Sequence, residues 1–164
     1  MKVENLKLLY EYNYWATKRL LTAAANIDQE QYIAPRLFPH GSLRGTFIHL
    51  LDAEYGWRML CQEGIETKDL TESELPTMDA LQIRWLEEEG AMRLYLGGLK
   101  EEDLTGIIRY TTPKGIKRER VLWHCLYHVI NHGTQHRSEA AAILTEVGRS
   151  PGDFDFSIFM VEKK

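Results

Sequence analysis

Hydrophobic residues recur at intervals of three and four along four long stretches of this chain, and this period predicts four amphipathic helices. The first stretch runs from about Val3 to Ala25. The second follows Ser42, a residue type that caps helix N-termini, and ends at Gly64, because glycine readily adopts the left-handed conformation that stops a helix. The third follows Thr77, another capping residue, and ends at two consecutive glycines.

The last long stretch shows the same period from about Glu119 to Val147, and Gly148 and Pro151 mark its end. Before it, two short β-type runs flank a Thr-Thr-Pro-Lys-Gly turn, which predicts a hairpin between Leu104 and Glu119. Two short strands cannot form a core of their own. The pattern therefore predicts an all-α protein, a four-helix bundle with a short β-hairpin before its last helix.

Two further segments show no helical period. Residues 27–41 contain two prolines and predict a long connection between the first two helices. Residues 153–159 alternate phenylalanine with polar residues and are too apolar to be fully solvated. We expect this tail to pack either on the bundle or on a second subunit.

Composition narrows the class of protein. The 164 residues are predicted to form one domain, residues 1–164, which is long enough to bury a core without disulfide bonds. The formal net charge of -4 argues against a nucleic-acid-binding surface, which needs clustered lysine and arginine. No run approaches the roughly 18 apolar residues of a membrane span, and the N-terminal residues lack the apolar stretch of a secretory signal. We therefore expect no nucleic-acid or membrane partner.

The two cysteines, Cys61 and Cys125, are too few for a disulfide framework. Their apolar neighbours are typical of reduced, buried thiols, although a single bridge between the two stays open. This cysteine usage predicts a cytoplasmic protein.

Four of the six histidines lie four residues apart on the last predicted helix. They are His124, His128, His132 and His136. Successive members are one helical turn apart on nearly one face, at about 6 Å, so that two adjacent imidazoles can bind one metal ion. Since the first and the last lie about 18 Å apart along the helix, all four cannot bind the same ion. The spacing leaves open which adjacent pair does.

A third ligand has to come from another helix. His49 is our candidate, because it lies within the second helix among small residues. His40 follows a proline in the long connection, where we expect it to be exposed. Three imidazoles with open coordination positions resemble catalytic zinc, which keeps a position for water or substrate.

Rival metal and cofactor sites lack their motifs. No Glu-x-x-His occurs in the sequence, which argues against a paired-carboxylate di-iron bundle. The His-Glu-x-x-His motif of zinc proteases, a glycine-rich phosphate loop and a Cys-x-x-Cys pair are also missing.

Three short segments together resemble one known family. Residues 12–16 read Tyr-Asn-Tyr-Trp-Ala, residues 49–54 read His-Leu-Leu-Asp-Ala-Glu, and residues 131–137 read Asn-His-Gly-Thr-Gln-His-Arg. In this order they resemble the DinB/YfiT family over nearly the whole chain. The resemblance implies a four-helix bundle with a crossover connection, often dimeric, which binds a divalent metal through one histidine of the second helix and a His-x-x-x-His pair of the last.

Carried over residue by residue, the resemblance selects His49, His132 and His136 as the metal ligands. It leaves His124 and His128 as non-ligands. We expect the ion to be zinc or nickel, since both bind imidazole well.

The resemblance also implies a class of reaction. Characterised members of the family include transferases and isomerases that use low-molecular-weight thiols. A metal held by three neutral imidazoles keeps its full positive charge and can lower the pKa of a bound thiol or water. The leading hypothesis is a metal-dependent enzyme that transfers a low-molecular-weight thiol to an electrophilic small molecule. A metal-dependent hydrolase and a non-catalytic, metal-stabilised interaction protein stay open as alternatives.

Two further residues are candidates for a catalytic role. His128 could accept a proton near the metal, or it could form a hydrogen bond inside the bundle. Arg137 could face an anionic substrate, or it could pair with an acidic residue. The apolar tail and the family resemblance together predict a homodimer.

Overall fold

The computed structural model describes residues 1–112 and 114–163 and contains the four predicted long helices. The elements are α1 Val3–Ala24, α2 Gln29–Ile33, α3 Leu43–Glu63, α4 Met78–Gly98, β1 Ile107–Thr111, β2 Lys117–Val121, α5 Leu122–Glu146 and α6 Phe156–Glu162. Both predicted N-caps are confirmed: the Ser42 hydroxyl accepts from the Gly45 N–H at 2.9 Å, and the Thr77 hydroxyl accepts from the Ala80 N–H at 3.2 Å. Gly64 ends α3 with a φ of 69°.

The four long helices form a bundle in which α1 and α3 each pack against both α4 and α5. The consecutive long helices α1 and α3 therefore occupy opposite corners, and the connection between them crosses one end of the bundle. This arrangement agrees with the crossover that the family resemblance implies. None of the described helices combines the length and the apolar character that a membrane crossing requires.

The short helix α2 interrupts the crossover connection, where the sequence predicted no regular structure. Asp28 caps it by accepting from the Gln31 N–H at 2.7 Å, and Tyr32 is 1% exposed. A helix of five residues is too short to show a period, and helices of this length depend on tertiary contacts. The buried Tyr32 supplies such a contact.

The predicted hairpin is confirmed, with Ile107 of β1 opposite Val121 of β2 in an antiparallel pair. Helix α5 begins at Leu122 rather than at the predicted Glu119. The difference arises because residues 119–121 pair with β1 and are held in an extended conformation.

The core has two large apolar clusters, one toward each end of the bundle, and a small third cluster where Phe159 packs on Tyr12 and Ala16. Between the two large clusters lies a polar layer, to which every long helix contributes at least one buried polar or charged side chain. The polar layer comprises Asn13, Glu54, Arg58, Glu88 and Arg137. Arg58 and Glu88 form an ion pair within it, with Nη2 2.9 Å from Oε2.

The aromatic tail forms α6 and packs on α1 of the same chain. Phe159 is 5% exposed, and its ring centroid lies 5.8 Å from that of Tyr12 and 5.6 Å from that of Trp15. The indole N–H of Trp15 donates to Glu162 at 3.0 Å. Of the two locations predicted for the tail, the structure thus shows the one on the bundle, and the tail alone no longer argues for a second subunit.

Candidate metal site

The three histidines selected as ligands come together where α3 packs against α5. The Nε2 atoms of His49 and His132 are 3.0 Å apart. The ring centroid of His136 lies 4.6 Å from that of His49 and 4.4 Å from that of His132. The four-residue spacing on α5 explains the last contact, because it stacks two side chains one turn apart on the same face. Metal binding by these three residues stays a prediction.

The charge state of the rings suits coordination. Burial, together with the neighbouring rings of His40 and His136, lowers the pKa of His49 to about 4. Burial also lowers the pKa of His132 to about 4, again with help from neighbouring imidazoles. Both rings are therefore neutral at pH 7 and keep a nitrogen lone pair for a metal. The rings of His49 and His132 remain half-buried, so that the cluster is accessible from one side.

Glu139 orients one of these rings, a role that the sequence did not indicate. Its Oε2 atom lies 2.7 Å from Nδ1 of His136, which leaves Nε2 of that ring for a metal. A signal existed in the sequence, because a carboxylate three residues after a histidine lies beside it on a helix. Asp52, a more obvious candidate near His49, instead accepts from the Leu70 N–H at 2.8 Å and pins the loop after α3.

His40 joins the cluster, and the expectation that it is exposed is wrong. Its ring is half-buried and stacks on His49, with centroids 3.8 Å apart and planes 16° apart. It also meets the edge of His136 at 4.9 Å. His40, His49 and His136 each offer one nitrogen within 4.8 Å of the others, a group that could hold a metal ion and that has His40 where the predicted set has His132. The glycine that follows His40 is only a weak signal of this position in the sequence.

The two remaining histidines of α5 lie outside the cluster. His124 is exposed and its ring contacts Trp123 at 4.1 Å. His128 is also exposed, one turn from His132, with ring centroids 5.6 Å apart, and it contacts Trp57 at 5.2 Å. Only His128 is therefore near enough to the cluster to act beside it.

Arg137 follows His136 in the sequence but points into the polar layer. It is 1% exposed, its Nη1 donates to Oδ1 of Asn13, and its Nη2 donates to Thr134 at 3.0 Å. One residue along a helix is a rotation of about 100°, and the two side chains therefore face different surroundings. This burial argues against contact with a substrate, and the hydrogen-bond partners of Arg137 are an amide and a hydroxyl rather than the acidic residue of the other alternative.

Glu54 completes this part of the polar layer. Its carboxylate accepts from Asn13 Nδ2 at 3.1 Å and from the Tyr14 hydroxyl at 2.7 Å. Burial raises the pKa of Glu54 to about 7, although these two hydrogen bonds oppose the increase. Residues 12–16, one of the segments of the family resemblance, thus contribute to the buried polar layer, because Asn13 bridges Glu54 and Arg137.

A different motif in the sequence does not form a site. Residues 148–152 read Gly-Arg-Ser-Pro-Gly, the spacing of a hydrolase nucleophile elbow. That elbow requires a turn from a strand into a helix, whereas these residues lead from the end of α5 toward α6. The hydroxyl of Ser150 accepts from the Gly152 N–H at 3.3 Å and is part of an exposed turn.

The donor set fits a divalent transition metal. Imidazole nitrogens are preferred by zinc, nickel, copper and iron, whereas calcium and magnesium prefer oxygen. The carboxylate of Glu139, which lies against the cluster, hydrogen-bonds to a ring rather than converging with the nitrogens.

A four-helix bundle with imidazoles meeting between its second and last long helices defines the class of protein. The family model described as "DinB family" matches residues 1–163, and the chain therefore belongs to the DinB family. Among curated proteins, it is similar to "Protein DinB" of Bacillus subtilis (strain 168). The two are 24% identical over 166 residues, which cover 95% of this chain and 94% of the relative. These matches confirm the family predicted from the three short segments.

Proposed function

We propose that this DinB-family protein is a metal-dependent enzyme that transfers a low-molecular-weight thiol to an electrophilic small molecule. His49, His132 and His136 are the proposed ligands. The observation that carries the proposal is the convergence of neutral imidazoles from two helices at a half-buried, accessible position. A structural role alone would not require the cluster to be open on one side.

The chain's own groups supply binding and orientation. Neutral rings of His49 and His132 present lone pairs, and Glu139 fixes the tautomer of His136 by accepting from its Nδ1–H. When bound, a zinc or nickel ion would contribute a positive charge that lowers the pKa of a thiol at the site.

His128 is the proposed proton acceptor. Desolvation lowers the pKa of His128, which favours the neutral ring, the form that can accept a proton. It lies one turn along α5 from His132 and contacts Trp57, which in turn meets Tyr110 of the hairpin at 5.9 Å. The rings of Trp57 and Tyr110 offer an apolar wall against which a small electrophile could lie.

The setting of the two cysteines supports a cytoplasmic location as part of the proposal. Both Cys61 and Cys125 are free. Free thiols persist in reducing compartments, where low-molecular-weight thiols are also abundant.

The test is a thiol-consumption assay on protein that is first stripped with a chelator and then reloaded with zinc or nickel. Cysteine or glutathione is offered with an activated aryl chloride; sulfur displaces chloride at carbon, and the thiol proton is released. We expect reloaded protein to consume thiol, and stripped protein and His136→Ala to give only the uncatalysed rate. His124→Ala is the matched control and should keep the wild-type rate.

Other outcomes would replace the proposal. Metal-dependent cleavage of an activated ester without thiol consumption would favour the hydrolase alternative. Stoichiometric metal without either activity over a broad panel of thiols and electrophiles would favour the metal-stabilised interaction protein.

A further inference from the structure

We propose that His40, on the loop before α3, is a fourth metal-binding imidazole of this site. The inference rests on the proposed function, because it adds one residue to the proposed ligands His49, His132 and His136. The family resemblance selects only those three, whereas the geometry around His49 includes one more ring.

His40 contacts the rings of His49 and His136, and His132 contacts the same two rings. The nitrogens of His40, His49 and His136 lie within 4.8 Å of one another, and His132 Nε2 lies 3.0 Å from His49 Nε2. In a tetrahedral site with metal–nitrogen bonds of about 2.1 Å, the nitrogens stand about 3.4 Å apart. The pair from α3 and α5 is already near that spacing. The His40 ring would have to move by about 1 Å and turn out of its stack on His49, because imidazole lone pairs lie in the plane of the ring.

The backbone of His40 is held beside the first turn of α3. Its carbonyl accepts from the Ser42 N–H at 2.9 Å, and Gly41 turns the chain with a φ of 71°. A second hydrogen bond, from the Arg36 N–H to the Gly41 carbonyl at 2.7 Å, closes the loop. The ring is therefore positioned over His49 by the backbone rather than by chance side-chain rotation.

Gly45 permits this position. A Cβ atom at Gly45 would lie 2.0 Å from the carbonyl oxygen of His40, a distance that no side chain could tolerate. The first turn of α3 therefore has to present a bare backbone for the His40 loop to pack as closely as it does. This close approach places the imidazole of His40 over the ring of His49.

The location of His40 on a loop distinguishes it from the other three ligands, which stand on helices. A zinc site closed by four side chains is typical of structural zinc, whereas catalytic zinc has three protein ligands. Binding or release of His40 would thus set whether the site is closed by the protein or open to a small molecule.

The test is a titration of the full-length, metal-stripped protein with Zn²⁺ alone, followed by long-range ¹H–¹⁵N NMR of the histidine rings. We expect one equivalent of Zn²⁺ to shift a ring nitrogen of His40 together with those of His49, His132 and His136. The ring of His124 serves as the internal control and should keep its chemical shifts. His40→Ala should weaken Zn²⁺ binding by about tenfold or more, and His124→Ala should leave the Kd unchanged.

The outcomes separate the two proposals. Shifts confined to His49, His132 and His136, with an unchanged Kd in His40→Ala, would overturn the fourth ligand and leave the proposed three-histidine site intact. If no histidine ring responds to Zn²⁺, both proposals fail. Shifts of His40, His49 and His136 without His132 would support the fourth ligand and remove His132 from the set.

Discussion

The imidazole cluster and the polar layer lie next to each other and share the same helices, yet they are built in opposite ways. His136 and Arg137 are adjacent on α5, and His49 and Glu54 are little more than a turn apart on α3. In the polar layer, hydrogen bonds join Arg137 to Asn13 and Asn13 to Glu54, so that buried protein groups satisfy one another. In the imidazole cluster, ring nitrogens converge on one another at a half-buried position.

The difference shows how a bundle can hold its paired, stabilising polar groups and its candidate metal-binding groups in separate regions. Buried polar groups are costly unless they are paired, and the layer pairs them inside the protein. In the imidazole cluster, hydrogen bonds within the protein use the lone pairs of the ring nitrogens only in part. These nitrogens are therefore available to an external ligand. One helix can serve both regions because successive side chains point in different directions.

The largest expected effect separates the two regions by metal binding. Alanine substitution of any one proposed ligand, His49, His132 or His136, should weaken metal binding by more than about 100-fold. Loss of a hydrogen bond that only supports a ligand weakens metal binding by up to about 100-fold, and loss of the ligand itself should cost more. His124→Ala and His128→Ala should retain the metal. Elemental analysis after dialysis measures the content, and far-ultraviolet circular dichroism checks that the helices persist. Loss of metal in His128→Ala with retention in His136→Ala would place the site one turn away.

The second effect concerns the pH dependence of stability. Glu54 has a pKa of about 7 in the folded state, above the value of about 4.3 for an unfolded chain. Between these values the folded protein holds a proton that the unfolded chain has lost. Glu54 should therefore lower the free energy of unfolding by up to about 3 kcal/mol as pH rises from about 4.5 to 7.

Glu54→Gln isolates this contribution. His49 and His132, with folded-state pKa values of about 4, act in the opposite direction and bring stability that is lost as pH falls below about 6.5. Because both proteins keep these histidines, the difference between their urea-unfolding curves reports Glu54 alone. The free energy of unfolding of the wild type minus that of Glu54→Gln should decrease over this pH interval. A constant difference would contradict the raised pKa of Glu54.

The third effect is smaller and uses two glycines. A Cβ atom at Gly133 would lie 2.7 Å from Arg137 Nη1 and 3.0 Å from Asn13 Oδ1, and Gly133→Ala should therefore disturb the polar layer and lower stability by about 1–2 kcal/mol. Gly90 on α4 has open space around it, and Gly90→Ala should raise stability by up to about 1 kcal/mol through helix propensity. Thermal unfolding measures the change in stability of both variants. Equal changes would show that the polar layer accommodates the added methyl group of Gly133→Ala without strain.

The smallest effect on either region should come from the oligomeric state. We predict a homodimer. Because the tail itself forms α6 and packs on α1, the candidate surface is the groove of about 780 Å³ lined by α1, α4 and the C-terminal residues of the tail, where Leu86 is 70% exposed. Light scattering should give twice the mass of one 19.1 kDa chain, and Leu86→Glu should reduce it. Metal affinity should stay within about twofold of wild type, because the groove lies on helices without histidines. A wild-type mass of one chain would contradict the dimer.

Local sequence patterns were sufficient for most of the fold. The period of hydrophobic residues, the caps at Ser42 and Thr77 and the stop at Gly64 placed the long helices to within a few residues, because these signals act within one or two turns. Helix α2 was not predicted, since a helix of five residues takes its stability from the burial of Tyr32. Helix α6 was missed as well, because its alternating aromatic residues acquire a packing surface only when α1 is present.

The candidate site divides in the same way. The spacing of histidines on α5 fixed which rings could act as neighbours, and the resemblance selected His49 as their companion. The membership of His40 depended on a loop that folds back over α3, and the inward direction of Arg137 depended on α1 supplying Asn13. Helical spacing governs contacts within one helix, whereas contacts between elements follow from how the whole bundle packs. For this reason the sequence could indicate that imidazoles meet, and the packed structure was needed to show that a fourth lies beside them.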